Sequence, residues 1–170
     1  MSGQQQTRSG GACPIARASS VVGDRWILLI MRNATLGMAR FDEFRSELGI
    51  ADNILSNRLG RLVEAGLLTK VAYRSESGGR ARSEYRLTPA GADLLPVLNA
   101  LAVWGEAHTT PAEPAEPMRT LHSVCGHTLD ARQFCESCGR EAVRGEIAWL
   151  RPWHSSEPRV IADAVSESLR

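Results

Sequence analysis

Lysine is almost missing from this 170-residue chain: Lys70 stands alone beside nineteen arginines. Arginine favours planar contacts to phosphates and bases, although a G+C-rich coding sequence produces the same bias and is the weightier explanation. Net charge is scarce as well, formally +1, which excludes a chain that coats nucleic acid by bulk charge. Affinity for DNA must then come from a local excess. Between Asp52 and Ala90 seven basic residues (Arg58, Arg61, Lys70, Arg74, Arg80, Arg82, Arg86) face four acidic ones (Asp52, Glu64, Glu76, Glu84), a local +3. No apolar run is long enough to cross a bilayer. The opening MSGQQQTRSGGA lacks the apolar centre of a signal or transit peptide and reads as a disordered arm. A cytoplasmic location is expected, with no membrane partner. Thiols stay reduced there, so the four cysteines argue for metal or redox chemistry rather than structural disulfides.

An apolar fraction of 43% is enough for one ordinary domain with a small appendage. The organising stretch is FDEFRSELGIADNILSNRLGRLVEAG, Phe41 to Gly66. Phe41, Phe44 and Leu48 recur at i, i+3 and i+7 and give a first short helix one apolar face. Gly49 suits the left-handed conformation that stops it, and Asp52 suits the N-cap of the next. In that second helix Leu55, Leu59, Leu62 and Val63 form the buried stripe, and Gly66 closes it. The opposite face carries Asn53, Ser56, Asn57, Gly60 and Arg61. Amides and guanidinium groups on a short helix suit the DNA major groove, where Asn pairs with adenine and Arg with guanine. A solvated face that binds nothing has the same composition.

Upstream, Cys13-Pro14 opens a helix with the stripe Ile15, Ala18, Val22, proline falling in the first turn. Gly23-Asp24 breaks and recaps, and Trp26 to Met31 is apolar all round, as in a buried central helix. Downstream, Leu67 to Tyr73 and Glu84 to Leu87 flank a glycine-containing loop and predict a β-hairpin. Its tip carries Arg74, Arg80 and Arg82. Thr88-Pro89 caps a helix to about His108, with Leu94, Leu98, Leu101 and Trp104 on one side and a kink expected at Pro96. Helix, helix, helix-turn-helix, hairpin, helix is the order of a winged helix, whose hairpin arginines would lie along phosphates or enter the minor groove. The last helix shows more apolar surface than a small domain covers, which predicts a partner.

The blocks CPIARASSVVGDRW, LGMARFDEFRSEL, ILSNRLGRLVEAGLL, EYRLTPAGADLLPVL and ALAVWGEAH closely resemble the HxlR family of bacterial winged-helix transcription regulators. The resemblance covers roughly Cys13 to His108. It implies a homodimer joined through the first and last helices of the domain, each recognition helix reading half of an inverted repeat. It also implies that a cysteine before this proline can sense oxidants or electrophiles in some members. For Cys13 the alternative is a small buried residue sealing the subunit contact. One departure is the wing: the family usually has a proline near the tip, where this chain has Ser77-Gly78-Gly79.

Further on, His122-Ser-Val-Cys125-Gly and Cys135-Glu-Ser-Cys138-Gly are matching half-motifs with zinc-ribbon spacing. Thiolates with imidazole suit zinc better than hard cations. His127 rivals His122 for the fourth position, and a redox C-x-x-C or an empty tail are the rival readings of the segment. Some HxlR-like proteins carry a similar cysteine-bearing tail. Four protein ligands leave no open position, so the zinc would be structural. The expected fold class is mainly α with a small β-hairpin wing (α+β): a winged helix-turn-helix domain and a small zinc-ribbon-like module. Its expected parts are an arm (1–12), the winged helix (13–109), a Pro-rich linker (110–118), the metal module (119–144) and a tail (145–170). Trp149 and Trp153 suggest that the tail folds back, and Val160, Ala164 and Val165 hint at a last helix.

The expected function is a sequence-specific DNA-binding regulator, not an enzyme, acting on double-stranded DNA as a homodimeric repressor. Asn53, Ser56, Asn57 and Arg61 would read bases, and Arg58 with the wing arginines would hold phosphates. Asp52 would repel phosphate unless it only caps or accepts from a cytosine. A winged-helix adaptor that binds protein is the alternative. A small-molecule or redox effector fits either.

Overall fold

A computed structural model describes residues 11–73, 82–112 and 115–165, Tyr73 and Arg82 by backbone alone. The expected arm therefore lies mostly outside the described residues, as do Arg74, Arg80 and the Ser77-Gly78-Gly79 tip.

Helices α1 (Pro14–Val22), α2 (Arg25–Thr35), α3 (Phe41–Leu48) and α4 (Asp52–Glu64) follow one another through short turns. Asp24 starts α2: its Oδ1 accepts from the backbone N–H of Trp26 (2.9 Å) and Ile27 (3.3 Å), two donors that a helix start leaves unpaired. Ile27, Ile30, Met31 and Ala34 put α2 in the centre of the core. Glu43 closes the start of α3 by accepting from the N–H groups of Ala39 and Arg40. Gly49 ends α3 at φ 58°, in the left-handed region that glycine enters freely. Asp52 is not the N-cap of α4. Ala51 holds that position, and Asp52 is the first helical residue, its carboxylate 3.5 Å from Arg45. An acid in the first turn is still favoured by the helix dipole. Leu55, Leu59 and Leu62 are fully buried against α2 and Phe44, each contributing about 1.5–3 kcal/mol by leaving water.

Strands β1 (Leu68–Tyr73) and β2 (Arg82–Leu87) pair antiparallel from Leu68↔Leu87 to Tyr73↔Arg82, and Arg40 adds a bridge to Glu84. The expected last helix is two pieces, α5 (Pro89–Ala92) and α6 (Leu95–His108). Pro96 therefore makes no kink. It sits in the first turn of α6, where its missing N–H costs nothing. The junction is tight: Thr88 Oγ1 donates to Gly66 O (2.6 Å) and accepts from Gly91 N–H (3.0 Å). A Cβ on Gly91 would lie only 2.0 Å from the carbonyl oxygen of Leu67. Gly91→Ala is accordingly expected to destabilise the fold by about 3 kcal/mol, read as a lower urea midpoint. An unchanged midpoint would show that α5 is free to move away from β1.

The C-terminal third is one further unit. Strands β3 (Arg119–His122), β6 (Ile147–Leu150) and β7 (Arg159–Val160) form a sheet in the order β3-β6-β7. The short β4 (Phe134–Cys135) and β5 (Arg140–Glu141) make a hairpin, and a 3₁₀ turn (Arg144–Glu146) leads into β6. The expected boundary at 144/145 cuts this unit in two, because β6 pairs with the strand that bears His122 (His122↔Ile147). Nor does the Pro-rich segment hold the unit away from the winged helix. Met118 N–H donates to Glu106 on α6, Trp149 Nε1 donates to Asn99 Oδ1 (2.9 Å), and Arg144 donates to Ala92 O. The last helix hinted at by Val160, Ala164 and Val165 does not form: Val160 ends β7, and 161–165 has no regular element, with Ala162 N–H on Thr35 O and Val165 N–H on Leu87 O. Trp149 is buried, as fold-back requires, whereas Trp153 is exposed.

Two carboxylates of the winged helix, Asp24 and Glu84, are paired with arginines and make its stability sensitive to acid. Arg58 holds the Asp24 carboxyl below its ordinary range, against the opposing effect of burial. Arg86, with Arg40, does the same for Glu84. Carboxyls lowered in the folded state contribute stability above their unfolded pKa values, about 3.9 and 4.3, and lose it as pH falls through the lower folded values. Asp24→Asn keeps a good cap but no charge, so its urea midpoint is expected to fall less steeply than the parent's between pH 5 and pH 2.5. Parallel acid limbs would assign the pH dependence elsewhere.

Candidate nucleic-acid interface and metal centre

With Leu55, Leu59 and Leu62 turned inward, α4 leaves Asn53, Ser56 and Asn57 exposed on its outer side, as the helical period requires. The arginines beside them are engaged. Arg58 Nε and Nη2 lie 3.0 and 2.8 Å from Asp24 Oδ2, so this expected phosphate contact clamps α4 to the start of α2. Its Nη1 also donates to Asn57 Oδ1 (2.8 Å). That bond fixes the Asn57 amide, whose oxygen keeps a second lone pair for another donor. Arg61 is half-buried and reaches back to Ser20 O on α1 at 3.5 Å, a length at which the bond is weak. Arg82 enters as backbone in β2, next to the tip.

In the C-terminal unit the folded chain brings His122, Cys125, Cys135 and Cys138 together, their ligand atoms all within 4.8 Å of one another. His122 Nδ1 is 3.2 Å from Cys125 Sγ and 3.4 Å from Cys138 Sγ, and Cys125 Sγ is 3.5 Å from Cys135 Sγ. A tetrahedral ion with metal–sulfur bonds of about 2.3 Å separates its sulfurs by about 3.8 Å, close to the spacing found, so the donor set fits a structural zinc. His127 is exposed and turned to Cys125 O; of the two imidazoles, His122 is the one in the cluster.

Glu146 escaped the sequence reading, since nothing local marks a carboxylate 24 residues from its imidazole. Its Oε2 lies 3.3 Å from His122 Nε2, and Arg140 grips both of its oxygens. A carboxylate on the far ring nitrogen orients a metal-binding histidine. Arg140 is the main cause that brings the Glu146 carboxyl down to about 2, so it stays ionised at neutral pH. Burial opposes ionisation of Cys135, yet the N–H of Cys138 and the neighbouring thiols draw it down to about 7. Cys125 and Cys135 push Cys138 up to about 11. Like charges so close disfavour a second thiolate, and a cation among them would offset that repulsion.

Cys13 is half-buried at the N-cap of α1, with no side-chain cap bond. None of α1 is buried, and Ile15 is 77% exposed. On α6, Val97, Leu101 and Trp104 are likewise bare, Trp104 at 59%.

A helix-turn-helix with a hairpin directly after it, its second helix presenting amides and a hydroxyl to solvent, defines a winged-helix DNA-binding protein. The chain belongs to the HxlR-like helix-turn-helix family, whose profile matches residues 21–113. Rv3095 of Mycobacterium tuberculosis, an uncharacterized HTH-type transcriptional regulator, is 42% identical over 133 residues, 78% of this chain and 82% of that one. The regulator YtfH of Escherichia coli is 31% identical over 107 residues, 60% of this chain and 82% of its own. Among solved structures PA1607, described as a candidate transcription factor, matches with a TM-score of 0.62 at 38% identity, over 79% of this chain and 92% of that one. The reduced form of the redox regulator HypR matches at 0.51 and 27% identity, over 56% and 92%. The chain is thus a DNA-binding transcription regulator, and its relatives are regulators rather than enzymes. Among the described residues no helix is long and apolar enough to cross a membrane.

Proposed function

We propose that this regulator acts as a homodimeric repressor in the cytoplasm, occupying an inverted-repeat operator with one α4 in each of two successive major grooves. The observation that carries the reading is the outer face of α4, where Asn53, Ser56 and Asn57 stand in solvent while every leucine of the helix is buried. Asn57 reads a base with its amide already aligned by Arg58, and Arg61 swings from its weak bond on Ser20 to reach the next position. Arg58 serves by positioning as well as by its charge. The wing arginines Arg74, Arg80 and Arg82 hold phosphates. The bare apolar faces of α1 and α6 support the pairing of two copies, which sets the recognition helices about one DNA turn, roughly 34 Å, apart. Zinc on His122, Cys125, Cys135 and Cys138 holds the C-terminal unit in shape. Cys13, at the start of α1, is the thiol through which an oxidant would act on the dimer.

A duplex enriched from a random library tests the reading directly. Asn57→Ala is expected to weaken binding to it about tenfold or more, while random-sequence duplex binds as before. Arg82→Ala is expected to weaken both alike and to flatten the salt dependence. Equal losses on both duplexes for Asn57→Ala would remove α4 from base reading.

A further inference from the structure

Beyond β6 the chain turns around a cleft of about 270 Å³ that neither the DNA-binding reading nor the metal centre uses. It is smaller than the usual site for a drug-sized ligand and suits a small one. Trp149 and Arg159 pair across β6 and β7, so their side chains stand on one face of the sheet, and both line the cleft. Pro158 adds the other apolar surface, and the rest of the lining is polar.

Arg151, also in the lining, is the decisive side chain. It is only 5% exposed, yet its bond among the described residues runs from Nη1 to Glu47 Oε1 at 3.5 Å, too long to be strong. Burying a cation with so loose a partner is costly. His154 shares that partner, its Nδ1 3.6 Å from the same oxygen. On α2, Arg32 uses Nε alone, on its neighbour Asn33. Among the described residues the side-chain atoms that are both enclosed and unpaired belong to Asn33, Thr35, Asn99 and Arg144. The open N–H groups of Arg32 and Arg151 are not among them and so reach solvent. Burial is the first cause that lowers the Arg32 pKa, and Arg151 is the second. Burial also leads in lowering Arg151, where Arg159 adds to the effect and Glu47 opposes it. The nearby carboxylates are Glu47 and the exposed Glu157 in the lining. Three guanidinium groups, Arg32, Arg151 and Arg159, thus meet two carboxylates, and one positive charge is left without a counterpart. Ser155 Oγ accepts from Glu157 N–H (3.0 Å), which leaves its own hydrogen to donate.

We propose that this cleft binds a small molecule through an oxyanion, a carboxylate or a phosphate group, that accepts from Arg151, Arg159 and Ser155. The inference goes beyond the DNA-binding reading and does not rest on it. A guanidinium suits such a group because its fork sets two N–H groups against two oxygens. The site also touches the helix-turn-helix. Glu47 belongs to α3, and an anion beside Arg151 competes with it for the same guanidinium.

Benzoate, inorganic phosphate and the uncharged benzamide, titrated separately into the full chain at fixed ionic strength, test the site by NMR. Saturable shifts are expected at the Nε–H signals of Arg151 and Arg159 and at the Ser155 amide, with benzoate, phosphate or both. Saturation by benzoate alone would make the bound group a carboxylate, and by phosphate alone a phosphate; each upholds the site. Benzamide should bind at least about tenfold more weakly than whichever anion saturates. Arg159 is exposed, so Arg159→Gln should keep the fold and weaken the anion about tenfold. Arg119→Gln removes an exposed arginine of β3 outside the cleft and should keep the parent's affinity. No saturation by either anion, benzamide as tight as the anion, or equal effects of the two substitutions would each overturn the assignment.

Discussion

Cys135→Ser is expected to empty the metal centre and unfold the C-terminal unit. Cys135 is fully buried, at the meeting point of the β4–β5 hairpin and the His122 strand. The half-motifs themselves offer little core: Cys125 is half-buried and Cys138 exposed, so a bound metal would supply what packing there does not. Structural zinc contributes about 10 kcal/mol or more in small zinc-dependent folds at neutral pH, larger than the whole stability of many domains. The variant should hold under one tenth of the parent's zinc by elemental analysis, and the buried Trp149 should shift its emission to the red. His127→Ala, outside the cluster, is the control and should keep both. A parent protein free of zinc after purification under reducing conditions, and indifferent to chelator in its melting, would return the segment to a dithiol reading.

Leu101→Asp is expected to separate the dimer and take operator binding with it. Val97, Leu101 and Trp104 follow one another at i, i+4 and i+7 on α6, so they share one face, and each is about half exposed or more in the single chain. In a two-fold contact a carboxylate at position 101 would be buried and repeated by its own copy across the axis. Two half-sites bound through a linked pair gain roughly 10²- to 10⁴-fold over one, and that factor is what the variant should lose. Sedimentation should report a monomer with an unchanged helical signal. A dimer that survives Leu101→Asp would move the subunit contact off α6, and with it the spacing of the recognition helices.

The winged helix was legible because its signals are local. The stripe Leu55, Leu59, Leu62 and the Gly49 stop lie within one or two turns of the groups they organise, and the structure returns them where the spacing puts them. The two local misreadings, Asp52 as a cap and Pro96 as a kink, are each a choice between neighbouring positions in a helical first turn. Proline and aspartate are both favoured just inside a helix start, so residue type alone does not separate the two. The Cys/His cluster was legible for the same reason, since H-x-x-C and C-x-x-C each span a single turn.

What spacing could not supply is which distant groups meet. Nothing near Arg58 in the sequence shows that folding pairs it with Asp24, 34 residues away. Glu146 becomes the orienting partner of His122 only because β6 pairs with β3. The tail became part of the body through Trp149 on Asn99 and Ala162 on Thr35, contacts that carry no periodicity. The sequence by itself determined the winged helix and the two Cys/His half-motifs, because helical period and turn chemistry act over a few residues. The tertiary structure alone decided that the C-terminal unit packs against α6, because long-range burial joins whichever surfaces fit once the local pieces exist.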